Sequence, residues 1–134
     1  MIDLSKLHAV IVDDEILKAI EIRKALNFNR ITDVDIVSNQ AKVWEAIYES
    51  NSGGKKVDLI VTDMRYPLTA GGHVDRDAGF KLIERMKEER IDIPVIICST
   101  GNYEGVTGIL GSVWYRGEAG DLGVDLKEVL GRLP

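Results

Sequence analysis

Three aspartates stand directly behind two short apolar runs. Ala9-Val10-Ile11-Val12 ends in Asp13 and Asp14, and Val57-Asp58-Leu59-Ile60-Val61 ends in Thr62 and Asp63. Pro94-Val95-Ile96-Ile97-Cys98 ends in Ser99 and Thr100, and residues 112–115 end in Arg116. Three carboxylates gathered in one pocket raise each other's pKa values unless a cation relieves them. A hard divalent cation does this well, because Mg2+ takes one or two carboxylates together with carbonyls and water. A metal-held carboxylate beside a hydroxyl and a cation is suited to attack phosphorus. The hydroxyl and the cation then take up the phosphoryl oxygens.

Such a pocket needs elements that bring distant residues to one edge. The runs at 9–12, 31–37, 57–61, 94–98 and 112–115 read as strands, and continuous apolar runs suit strands covered on both faces. Between them lie helical patterns. Residues 16–26 can place Ile16, Ala19, Ile20 and Leu26 on one face, with Glu15, Lys18, Glu21 and Lys24 on the polar one. Asn39 can cap a helix carrying Val43, Trp44 and Ile47. A third helix directs Phe80, Leu82, Ile83 and Met86 inward. Residues 102–110 form at most a weak helix. The last helix carries Leu122, Leu126, Val129, Leu130 and Leu133 on one stripe. Strand and helix alternating five times predict a doubly wound, five-stranded parallel sheet, (β/α)5, in three α/β/α layers. Right-handed crossovers put every strand's C-terminal end on one edge, where open α/β sheets bind ligands.

The 134 residues fit one domain. With 17 basic and 22 acidic residues the formal net charge is −5, which argues against nucleic acid and anionic membrane as partners. The single cysteine, Cys98, excludes a disulfide framework and a Cys-rich zinc site, and its place in a strand makes it a small hydrophobe. The start of the chain, Met1-Ile2-Asp3-Leu4-Ser5-Lys6, lacks the apolar stretch of a signal peptide, so a cytoplasmic protein is expected. Residues 52–56 lack the spacing of a phosphate loop. His73 among loop acids is read as solvated, not as a second metal site.

The motifs, taken in order, resemble the receiver domain of two-component response regulators, a flavodoxin-like fold. Val10-Ile11-Val12-Asp13-Asp14-Glu15 carries the resemblance, with residues 57–63, Pro67, Gly79-Phe80-Lys81-Leu82-Ile83 and Ile93-Pro94-Val95-Ile96-Ile97-Cys98-Ser99. It covers residues 6–133, so a single domain without an output domain is expected. The resemblance implies that Asp63 accepts a phosphoryl group from a sensor histidine kinase or a histidine phosphotransfer protein. It implies Mg2+ (or Mn2+) held by Asp13, Asp14, Asp63 and the backbone carbonyl of Arg65, and Ser99 as the switch hydroxyl. The protein would be a signalling switch with self-catalysed aspartyl phosphorylation and dephosphorylation, not a conventional enzyme. Its output would pass to a downstream protein by contact or by phosphorelay, from a monomer or weak dimer. The alternative is a pseudo-receiver that binds proteins without phosphorylation.

The pattern breaks in three places. The family's lysine after the fifth strand is missing, no lysine occurs between Lys87 and Lys127, and Arg116 is the closest substitute. That register puts Val113 at the family's aromatic position; a shift onto Trp114 or Tyr115 would move Arg116. Gly101, Gly105, Gly108 and Gly111 weaken the fourth helix by up to ~1 kcal/mol each relative to alanine. The family's glycine after the acceptor is assigned to Gly79 over Gly71, which inserts residues beside Asp63. Tyr66 also replaces the usual apolar residue before the proline.

Overall fold

The apolar runs become strands because each can be covered on both sides at once. In the computed structural model, which describes residues 2–134, five parallel strands form one sheet. They are β1 (His8–Val12), β2 (Asp33–Val37), β3 (Leu59–Thr62), β6 (Val95–Ser99) and β7 (Gly111–Trp114), in the order β2-β1-β3-β6-β7. Ala9 and Ile11 face α1 (Ile16–Phe28) and α4 (Leu122–Leu130), in a core with Ile22, Leu26, Leu126 and Val129. Val10 and Val12 face α2 (Gln40–Asn51) and α3 (Ala78–Glu88), in a core with Val43, Trp44, Leu82 and Met86. Alternate residues of one strand thus feed two cores, which is why the inner strands β1, β3 and β6 show no polar alternation, whereas the edge strand β2 alternates Asp33, Val34, Asp35 and Ile36.

The register aligns the strand ends. Val12 lies opposite both Val37 and Thr62, and Thr62 lies opposite Ile97. The next residues extend the ladder: Asp13 N–H donates to the Val37 carbonyl and Asp63 N–H to the Val12 carbonyl, each at 3.0 Å. The backbone that carries the acids is therefore fixed by the sheet.

Four local outcomes differ from the sequence reading. On α1 the buried residues are Lys18, Ala19, Ile22, Ala25 and Leu26, whereas Ile16 is 60% exposed. Apolar residues surround this helix, so periodicity selects no stripe; Ala19, Ile22, Ala25 and Leu26 pack into the core, and Lys18 on the same side meets the aspartates described below. Residues 100–110 hold no helix, which leaves four α-helices among the described residues. Gly105 (φ 88°) and Gly108 (φ 80°) adopt left-handed backbone that an α-helix cannot continue through. The stretch after Asp63, read as loop, contains a hairpin of β4 (Tyr66–Pro67) and β5 (Val74–Asp75), paired antiparallel. Asn39 caps α2 as the sequence suggested, its side chain accepting from Lys42 N–H at 3.1 Å. Phe80, expected inward, is partly exposed and packs edge-on against Tyr103.

Candidate functional site

The common edge brings Asp13, Asp14 and Asp63 together. One carboxylate oxygen from each lies within 4.8 Å of the others. Asp13 and Asp63 are buried, and Asp14 faces solvent. Asp13 Oδ1 accepts from Glu15 N–H at 2.9 Å, and Asp63 Oδ1 accepts from Met64 N–H at 2.7 Å. Ser99, at the end of the neighbouring strand β6, is buried at the same edge, and its Oγ accepts from Gly101 N–H at 3.2 Å. Arg65 is exposed in the turn two residues past Asp63.

The cation in this pocket comes from an unexpected element. Lys18, in the first turn of α1, places Nζ 2.9 Å from Asp13 Oδ2 and 3.2 Å from Asp63 Oδ1, with only 3% of the residue exposed. Burial works against its charge. The hydrogen bond and attraction of Asp13, then the attraction of Asp63, outweigh that burial and hold the Lys18 pKa above the ordinary lysine value. Burial also raises the Asp13 pKa, and the hydrogen bond and charge of Lys18 oppose this only in part. Arg116 is not brought to the pocket. It is exposed, and its guanidinium lies 5.5 Å from the centre of the Trp114 ring. The sequence pattern places Lys18 on the polar face of the helix, with Glu15, Glu21 and Lys24. The available signal was its position: a cation in the first turn of a helix opposes the macrodipole and needs compensation.

The donor set suits a hard divalent cation. It is all oxygen, and three carboxylates face one ammonium. Asp13 Oδ2 is buried, with the ammonium of Lys18 2.9 Å away as its charged partner and no backbone N–H reaching it. Cys98, one strand residue before Ser99, has its thiol pushed up to about 12 by burial and stays protonated, consistent with a packing role.

The hairpin is tied to β3, the strand that carries Asp63. Tyr66 is fully buried, and burial pushes its pKa up to about 12. Its hydroxyl shares a 2.9 Å hydrogen bond with Thr62 Oγ1, which donates to the Asp63 carbonyl at 2.7 Å. Ala41 N–H donates to the Leu68 carbonyl at 2.9 Å, docking the other side on α2. Gly79 lies in the first turn of α3, against the residues that follow β3. A Cβ there would lie 2.8 Å from the Asp63 carbonyl oxygen and 3.2 Å from Met64 Cα, both backbone atoms that cannot turn aside. Gly79→Ala is therefore expected to cost about 1–3 kcal/mol of stability. The check is a urea titration with unchanged slope, and a cost below ~0.5 kcal/mol would show that the backbone at Asp63 and Met64 yields.

No family sequence model matches the chain, and no curated protein matches it by sequence. Solved structures do match. The chain superposes on the signal receiver domain of a protein described as a Luxo repressor, from Vibrio parahaemolyticus, with TM-score 0.68, 15% identity and coverage of 94% of this chain and 88% of that one. It superposes on the chemotaxis response regulator CheY4 of Vibrio cholerae with TM-score 0.64 and 16% identity, covering 95% and 98%. The chain has the receiver fold. RcsB from Salmonella enterica serovar Typhimurium, bound to promoter rprA in the presence of the phosphomimetic BeF3-, gives TM-score 0.63 and 20% identity, covering 96% of this chain and 68% of that one. This chain carries a hairpin between β3 and α3 and no helix between β6 and β7.

Proposed function

We propose that the protein is a cytoplasmic phosphorylation switch whose acceptor is Asp63. The observation that carries this is the cluster of Asp13, Asp14 and Asp63 at the C-terminal strand edge, with oxygens within 4.8 Å of one another. Asp13, Asp14, Asp63 and the carbonyl of Arg65 would hold Mg2+ or Mn2+. When bound, that ion neutralises charge on the phosphoryl oxygens. The chain's own residues supply the rest. Met64 N–H fixes Asp63 Oδ1 and so orients the carboxylate. The sheet fixes its backbone through the Val12 carbonyl. Ser99 offers a hydroxyl to a phosphoryl oxygen from the adjacent strand. The donor is a phosphohistidine of a sensor kinase or phosphotransfer protein, and the output is a protein contact or onward transfer. RcsB, one of the proteins of the same fold, was solved with a phosphomimetic present.

A second reading, a binding module independent of phosphorylation, draws on the helix-free stretch at 100–110. One experiment separates the two. With acetyl phosphate and Mg2+ the protein should gain the mass of one phosphoryl group, mapped to the peptide holding Asp63, and EDTA should prevent the gain. No gain at any Mg2+ concentration would leave the binding module standing.

A further inference from the structure

We infer that Lys18, supplied from α1, is the cation that pairs with the phosphoryl group as it forms on Asp63. This rests on the reading of Asp63 as acceptor. Lys18 Nζ already touches the reacting carboxylate, 3.2 Å from Oδ1. It is the sole Lys or Arg among the described residues that ion-pairs with any of the three aspartates. The ring of Tyr115, centred 5.6 Å from Nζ, flanks its outer side, and the Tyr115 hydroxyl bonds to Glu21 one turn along α1. Stability gives little reason for a lysine here. Each buried ion costs several kcal/mol in lost hydration, and an apolar side chain of similar size often serves a core equally well. The first turn of a helix is also an unfavourable place for a cation. A function at the acceptor accounts for both.

The step balances without a proton. A carboxylate oxygen of Asp63 forms the O–P bond while the P–O bond to acetate breaks. Acetate leaves with the electron pair, so one carboxylate is consumed and one released. Charge spreads over the three equatorial phosphoryl oxygens in the transition state. An ammonium is a compact charge with three N–H groups. Lys18 can therefore keep one on Asp13 and turn another to a phosphoryl oxygen.

The test compares the full-length protein with Lys18→Met, Lys18→Arg, Lys18→Gln and Arg116→Ala. Phosphorylation by acetyl phosphate in Mg2+ is followed by mass, and Mg2+ affinity by thermal shift. Lys18→Met removes a positive charge from beside the acids, so Mg2+ should bind at least as tightly as in the wild type. Its phosphorylation rate should fall about 10²–10³-fold, as for loss of one charge-stabilising donor. Lys18→Arg should recover part of that rate, and Arg116→Ala should stay within twofold of the wild type. A purely structural lysine would not separate metal binding from rate in this way. If Lys18→Met does not fold, Lys18→Gln against Lys18→Arg carries the comparison. Wild-type rates in folded Lys18→Met or Lys18→Gln, or a loss confined to Arg116→Ala, would overturn the inference alone. A wild type that takes up no phosphoryl group would overturn it together with the assignment of Asp63.

Discussion

Asp63→Asn folds, melts no lower than the wild type in EDTA, and takes up no phosphoryl group from acetyl phosphate. The asparagine keeps an oxygen for Met64 N–H, so the local hydrogen bond at 2.7 Å survives. The backbone bond to the Val12 carbonyl is untouched. The variant lacks the anionic nucleophile, so the reaction is lost outright rather than slowed. Stability follows from counting charge. Asp13, Asp14 and Asp63 face only the ammonium of Lys18, and removing one carboxylate relieves repulsion while Lys18 keeps its partner at 2.9 Å on Asp13. Mg2+ should raise the melting temperature of the wild type, because a ligand that binds only the folded state stabilises it. The same addition should do less for the variant. Intact mass and paired melts with and without Mg2+ read all three outcomes. Phosphoryl uptake by Asp63→Asn would move the acceptor elsewhere.

Ile11→Ala should remove about 2–5 kcal/mol of folding stability, out of the ~5–15 kcal/mol typical of a domain. Ile11 is fully buried in β1, with Ile36 on one side and Val61 on the other. It faces the core built with α1 and α4, and it stands two residues before Asp13. Close-packed neighbours on both strands leave little room to collapse into the gap. The melting temperature should fall on the order of 10 °C. Ile16→Ala is the matched control: at 60% exposure it should cost no more than about 0.5 kcal/mol. Equal costs at the two positions would mean that α1 presents its other face to the sheet.

The sequence carried the sheet and the acidic edge for a physical reason. A strand covered on both faces must be apolar throughout, so its end is marked by the first charged residue, and that residue lies at the ligand edge. Asp13, Asp14, Asp63 and Ser99 were legible in this way. The face of α1 was not. With Ile16, Leu17, Ala19, Ile20, Ile22, Ala25, Leu26 and Phe28 spread around the helix, hydrophobicity does not choose a side, and the buried face carries Lys18, whose partner Asp63 lies far away in sequence. The hairpin was illegible because strands of two residues show no period. Arg116 was favoured because it lies near the end of β7, yet direction of a side chain is set by local packing, and Trp114 holds it outside.

The stretch between Ser99 and β7 has an energetic consequence of its own. Its backbone bonds are few: Val106 N–H to the Tyr103 carbonyl at 3.3 Å, and Leu110 N–H to the Val95 carbonyl at 2.8 Å. A helix in that position would lock its residues together and present one pre-ordered face. A glycine-rich chain instead retains conformational entropy, and fixing it costs roughly 1–2 kcal/mol for each residue held. Any surface that grips residues 100–110 gives up that much of its contact energy to ordering. Complexes formed there are accordingly weaker and shorter-lived than their buried area alone would suggest.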